Sequence, residues 1–181
     1  MKTTILTLII AAGATTLALA QGEIASGTIS GSGAGPYTYD LTFSDGAGAT
    51  SPIGSVWYSW IPGQFFLPSD PTPGTAIAPA GWTATIVNNS IQFVATSSAS
   101  DILAGQTLSG FSYQATFSPT QLAAAPNSGE SVAYSAGLFS DGGDTFVVSA
   151  TPEPSSLVLL VSGVAGLCLL GRRKLPVATK P

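Results

Sequence analysis

Between Gln21 and Thr151 apolar and polar residues alternate over short runs, and no stretch holds a helical period for long. Tyr37, Tyr39, Leu41 and Phe43 share one face of an alternating run. Val56 to Ile61 is a second run, in which Trp57 and Trp60, like Trp57 and Tyr58, fall on opposite faces of one strand. Trp82, Ala84 and Ile86 alternate with threonines, and Asn88-Asn89-Ser90 turns the chain into Ile91 to Ala95, the strongest hairpin candidate. Phe111, Tyr113, Ala115 and Phe117 line another face, Val132, Tyr134, Ala136 and Leu138 one more, and Phe146 to Val148 closes the set. Ile24 to Ile29 adds a candidate edge strand. Ser118-Pro119-Thr120-Gln121-Leu122 reads as an N-cap, a proline at the first helical position and a short helical turn. The proline-rich stretch Pro62 to Pro79 is expected as a loop, because proline cannot sit in a central ladder. About eight short strands separated by turn residues predict an all-β domain, an antiparallel two-sheet β-sandwich.

Two long apolar runs lie outside this pattern, one at each end. Met1-Lys2 precedes an apolar stretch from Ile5 to Leu19, and Ala18-Leu19-Ala20 forms a small-x-small site. This predicts a secretory signal peptide cut after Ala20. Leu157 to Leu170 is apolar and is followed at once by Arg172, Arg173 and Lys174. The run is near the lower length for a transmembrane helix, and the basic stop-transfer cluster holds that end in the cytoplasm. Both ends therefore place the intervening domain on the far side of the membrane. The expected organisation is a signal peptide over 1–20, an acidic ectodomain over 21–150, a sorting and anchor segment over 151–174 and a cytoplasmic tail over 175–181.

Charge sharpens that picture. All five basic residues lie at the ends, as Lys2, Arg172, Arg173, Lys174 and Lys180. The middle holds only Glu23, Asp40, Asp45, Asp70, Asp101, Glu130, Asp141 and Asp144. Nucleic-acid binding is excluded, since neutralising phosphates needs Lys or Arg. The ectodomain carboxylates cannot form side-chain ion pairs within it and must be solvated, bonded to N–H or O–H groups, or bound to a cation. The chain has no histidine, and its one cysteine, Cys168, lies in the C-terminal apolar run. Disulfides, Cys/His zinc sites and nucleophile–histidine catalysis all lack their residues.

The C-terminal end carries a resemblance. Pro152-Glu153-Pro154, then an apolar helix, then an Arg-rich cluster resembles the PEP-CTERM sorting signal, over about the last 30 residues. The resemblance implies an exosortase-type processing enzyme as partner, with Pro152, Glu153 and Pro154 as the recognised residues and the helix and basic cluster removed on processing. It also implies a bacterial envelope or extracellular-matrix setting linked to exopolysaccharide. Two features depart from the family pattern: Thr151 where Val is common, and a tail from Leu175 to Pro181. Trp57 to Gly63, Ala80 to Thr83, Leu103 to Gln106 and Ser109 to Phe111 further resemble the ectodomain of other PEP-CTERM proteins, a likeness that implies no known activity.

Three kinds of candidate chemistry remain in the ectodomain. Asp40 with Asp45, or Glu130 with Asp141 or Asp144, are the carboxylate pairs that glycoside hydrolysis would use. Asp141-Gly142-Gly143-Asp144 places two oxygen ligands in a turn, which suits calcium, although it lacks the spacing of an EF-hand loop and equally fits a plain hairpin turn. No other cofactor is implied. Trp57, Trp60 and Trp82 are candidates for stacking on sugar rings, against a reading in which the other sheet and the proline-rich loop cover the aromatic faces. The sequence therefore predicts an exported, non-catalytic surface or matrix protein, with a carbohydrate-binding module as the alternative.

Overall fold

The computed structural model describes residues 22–60, 67–126 and 129–151. The predicted signal peptide with Ala18 and Ala20, the Pro152–Pro154 motif, the apolar helix and the basic cluster lie outside the described residues. Among those described, no helix is long and apolar enough to cross a membrane.

Eight strands carry the fold. They are β1 (Ala25–Ser32), β2 (Tyr37–Asp45), β3 (Ser55–Tyr58), β4 (Trp82–Val87), β5 (Ser90–Ala95), β6 (Thr107–Ala115), β7 (Glu130–Tyr134) and β8 (Asp144–Ala150). The all-β expectation holds, and so does the hairpin: β4 and β5 pair from Trp82 opposite Ala95 to Val87 opposite Ser90. Asn88 takes a φ of 52° at the turn, a conformation that asparagine tolerates better than most residues. The six-residue helix α1 (Pro119–Ala124) also forms where its signals stand. Ser118 Oγ accepts from Gln121 N–H, and Gln121 Oε1 accepts from Ser118 N–H, a reciprocal capping box.

The two-sheet antiparallel arrangement is where the fold differs. The strands make one mixed sheet in the order β4-β5-β3-β7-β8-β1-β2-β6. β8 is the reason. Its first half pairs antiparallel with β7, Asp144 lying opposite Ala133 and Val147 opposite Glu130. Its second half runs parallel to β1, with Val148 opposite Gly27 and Ala150 opposite Ile29. One strand thus joins two groups of strands into a continuous half-barrel. β1, expected at an edge, lies between β8 and β2.

The curl brings distant strands together over a single core. Phe43 on β2 lies 5.9 Å from Phe93 on β5, 5.0 Å from Phe111 on β6 and 6.1 Å from Phe146 on β8, between ring centroids. Tyr39, Leu41 and Phe43 point inward as their alternation requires, and Asp40 points out. The buried phenols find partners: Tyr39 donates to the Phe117 carbonyl at 2.6 Å, and Tyr58 and Tyr113 hydroxyls meet at 3.3 Å. Burial, aided by the neighbouring Tyr37, pushes the Tyr39 phenol up to about 12. Gly110, with a φ of 96°, is the extra residue of a bulge where Leu41 faces Phe111 but Thr42 faces Ser109.

Residues 67–79 of the proline-rich stretch run as a loop along the open edge of β6. Ile77 bridges Ser112, Thr72 N–H donates to the Gln114 carbonyl at 2.7 Å, and Leu67 is buried. The loop satisfies part of the β6 edge that would otherwise offer unpaired backbone groups.

Candidate functional site

β3 lies between β5 and β7, with Val56 and Tyr58 turned into the core and Trp57 turned outward. Trp57 faces Val132 across the β7 pairing. Strand alternation would send Trp60 to the opposite face from Trp57, but the strand ends at Tyr58. Ser59 then adopts a φ of 55°, in the left-handed region. That turn brings Trp60 back onto Trp57, with ring centroids 4.2 Å apart and planes inclined by 12°. The expectation of opposite faces is therefore corrected by one backbone conformation.

The loop between β7 and β8 completes the cluster. Phe139 stands edge-on to Trp57 at 5.5 Å and to Trp60 at 5.3 Å, and tilted to Tyr134 at 5.5 Å. Phe139 is 59% exposed and carries a φ of 63°. An exposed phenylalanine in a left-handed conformation is costly on both counts, so the loop must be held from elsewhere. Asp141 holds it. Its Oδ2 accepts from the Ser135 N–H at 2.9 Å and from the Ser135 hydroxyl, and its Oδ1 accepts from the Gly143 N–H at 2.9 Å. Gly143 has a φ of 66°, and a Cβ there would stand 2.6 Å from Val132 Cγ1, so only glycine lets the loop close against β7. Trp57 is fixed as well: its indole N–H donates to Ser90 Oγ at 2.7 Å, and that hydroxyl donates to the Val87 carbonyl. Beside the rings lies an open pocket of about 250 Å³, walled by Trp60, Tyr134, Phe139 and Asp141 with Val132 and Thr145.

Trp82, the third candidate tryptophan, is elsewhere. It is buried in the core, edge-on to Phe111, with its indole N–H on the Ser100 carbonyl at 2.8 Å. It cannot reach a ligand at the surface. Phe139 and Tyr134 carried no sequence signal as partners of the tryptophans, because β7 ends at Tyr134 and the following loop has no period to read.

The carboxylates also regroup. Asp40 is exposed while Asp45 is buried, so the two do not pair. Glu130 lies opposite Val147, three ladder positions from the Ala133–Asp144 pair, or about 10 Å along the strand. The acids that do approach one another are Glu23, Asp45, Asp141 and Asp144. Asp45 Oδ1 accepts from Ile24 N–H at 3.0 Å, and Asp144 Oδ2 accepts from Ala25 N–H at 2.7 Å. Glu23 lies near Asp141 and Asp144. Glu23 Oε1 and Asp45 Oδ2 are buried without a partner. Among the described residues, no three acids converge in a way that could hold a metal ion. Asp141 and Asp144, the candidate calcium ligands, accept hydrogen bonds from backbone amides, and Asp141 also from the Ser135 hydroxyl.

Burial pushes the carboxyl of Glu23 above its ordinary value of 4.5, and the nearby charges of Asp141 and Asp144 add to the rise. Burial likewise raises Asp45 from 3.8. For Asp141 burial works upward too, but the bonds from Ser135 and Gly143 outweigh it and hold the group below 3.8. Glu23 and Asp45 thus keep their protons to higher pH in the fold than in the unfolded chain, so stability falls as pH rises through the interval above 3.8 to 4.5. Asp141 adds stability above its unfolded value, lost as pH falls through its lower folded value. Calorimetry should therefore show the melting temperature rising as the pH is lowered from neutral towards the unfolded carboxyl values of 4.5 and 3.8. D45N should raise the melting temperature at neutral pH and flatten the trend. A melting temperature that falls over that range would contradict the raised pair.

The chain leaves the sheet in a defined way. Thr151 N–H and Thr151 Oγ1 both bond to the Ile29 carbonyl, at 2.8 and 3.1 Å. The last described residue is thus pinned to β1, directly before Pro152. No curated protein matches the chain. Residues 150–174 match the family model described as PEP-CTERM protein-sorting motif. The match starts inside β8, at Ala150, so fold and motif share a strand end. The chain accordingly carries, at its C-terminal end, the sorting motif of exported proteins handled by exosortase-type enzymes.

Proposed function

We propose that this is a non-catalytic protein of the cell surface or extracellular matrix that associates with exopolysaccharide through the Trp57–Trp60–Phe139 cluster. The observation that carries the reading is the aromatic cluster itself, built on the outer face of β3 and β7 and completed by an exposed, conformationally costly Phe139 that the Asp141 hydrogen bonds hold in place. Flat aromatic faces stack on the apolar faces of pyranose rings, burying C–H surface without needing charge. The cluster needs no basic residue to work, which suits an ectodomain that has none. The sorting motif supports the same setting, since it directs an exported protein to membrane-associated processing.

Catalysis has no support in the residues present. The described carboxylates that cluster include Glu23 and Asp45, which are closed to solvent, and retaining or inverting hydrolysis needs two acids across an open cleft. A glycan array tests the reading. The full chain in detergent should bind a subset of polysaccharide fragments, and W60A and F139A should each weaken binding about tenfold or more. Binding that both substitutions leave unchanged would remove the aromatic cluster from the function.

A further inference from the structure

Building on the glycan-contact reading, we infer that the pocket beside Trp60 selects sugars bearing a free ammonium group, as in a de-N-acetylated amino-sugar polymer. Three aromatic rings, those of Trp60, Tyr134 and Phe139, wall this pocket, and Asp141 forms part of the same wall. An ammonium group is attracted to the faces of tryptophan, tyrosine and phenylalanine rings within about 6 Å. A carboxylate beside those rings adds a full negative charge where the cation would sit. The hydrogen bonds that Asp141 receives from Ser135 and Gly143 fix its position and stabilise its ionised form.

The charge of the whole domain acts in the same direction. Eight acidic residues and no basic residue lie between Gln21 and Thr151, so the field around the pocket is negative throughout. A polyuronate would meet repulsion with no Lys, Arg or His in the ectodomain to offset it. A neutral polymer would gain only stacking. An amine-bearing polymer gains stacking, ring–cation attraction and long-range steering together. The pocket volume of about 250 Å³ suits one sugar ring or its substituent rather than a large ligand.

The test compares three probes on the full chain by calorimetry: a β-1,4-linked glucosamine oligomer, its N-acetylated counterpart and an oligouronate of equal length. The glucosamine oligomer should bind about tenfold more tightly than the N-acetylated one at low salt, and the oligouronate least. Raising the salt should bring the first two together, because screening removes the charge contribution and leaves the stacking. D141N should lower the same ratio. Since Asp141 also closes the loop, the salt titration of the unaltered protein decides the matter if D141N fails to fold. Equal binding of the two amino-sugar probes at low salt, or tightest binding of the oligouronate, overturns the ammonium selectivity and leaves sugar stacking standing. Binding of none of the three overturns the glycan reading with it.

Discussion

Protein recovered from the producing cell's envelope is expected to have an intact mass that begins at Gln21 and ends between Pro152 and Pro154. Both ends of the sequence set this mass. Ala18 and Ala20 form the small-x-small site at which cleavage of the N-terminal segment is expected, and the matched motif over 150–174 implies processing at the other end. All basic residues beyond Lys2 lie C-terminal to Pro154, so loss of the tail removes Arg172, Arg173, Lys174 and Lys180 together. The mature protein would then carry no Lys, Arg or His at all. The effect of substitution is expected to be all-or-none: P152A combined with E153A should leave a species that retains Arg172 and Arg173. A mass that includes the basic cluster in the unaltered protein would mean a permanent anchor instead. The fold adds a constraint on this step. Thr151 is bonded to β1 at the Ile29 carbonyl, and the motif begins within β8. An enzyme acting at Pro152 to Pro154 therefore works within a few residues of a formed strand, so insertion of a flexible Gly/Ser linker after Thr151 should speed processing.

The second large effect is in the core. F111A is expected to destabilise the domain by about 3–5 kcal/mol, a large part of the 5–15 kcal/mol that ordinary domains possess. Phe111 is fully buried and meets Phe43 at 5.0 Å, Phe93 at 4.9 Å and Trp82 at 5.3 Å, all close to edge-on. It belongs to β6 at one end of the sheet, whereas Phe93 and Trp82 belong to β5 and β4 at the other. Truncation thus removes contacts across the curl as well as within the strand pair. Urea unfolding should show the midpoint shifted strongly downward, while F139A, on the exposed loop, should shift it far less. A cost for F111A near that of a surface change would mean that the two ends of the sheet do not share a core.

Both effects could be anticipated in part from the chain alone, and the limits of that anticipation are physical. The alternation of Tyr37, Tyr39, Leu41 and Phe43 and the Asn88-Asn89 turn are local signals, because strand faces and tight turns are decided by neighbouring residues. The capping signals at Ser118-Pro119 are local in the same sense and mark α1 correctly. The export and sorting segments are equally local, being read from charge, apolar length and a short motif. The composition excludes chemistry by absence of residue types, which no folding can reverse.

What joins residues far apart in sequence was decided only by the tertiary structure. The pairing of β8 with both β7 and β1 turned two expected sheets into one curled sheet, and strand partners depend on long-range closure rather than on period. The left-handed conformation at Ser59 put Trp60 on Trp57, overriding the face assignment that an unbroken strand would impose. Phe139 and Asp141 reached that stack because the loop after Tyr134 folds back on the outer face of β7. Glu23 met Asp141 and Asp144 across more than a hundred residues of chain. The sequence by itself determined the address, the β character and the anionic surface of this protein, since each is a sum of local or compositional terms. The tertiary structure decided which aromatic rings and which carboxylates share a site, since those neighbours are set by how the sheet curls and closes.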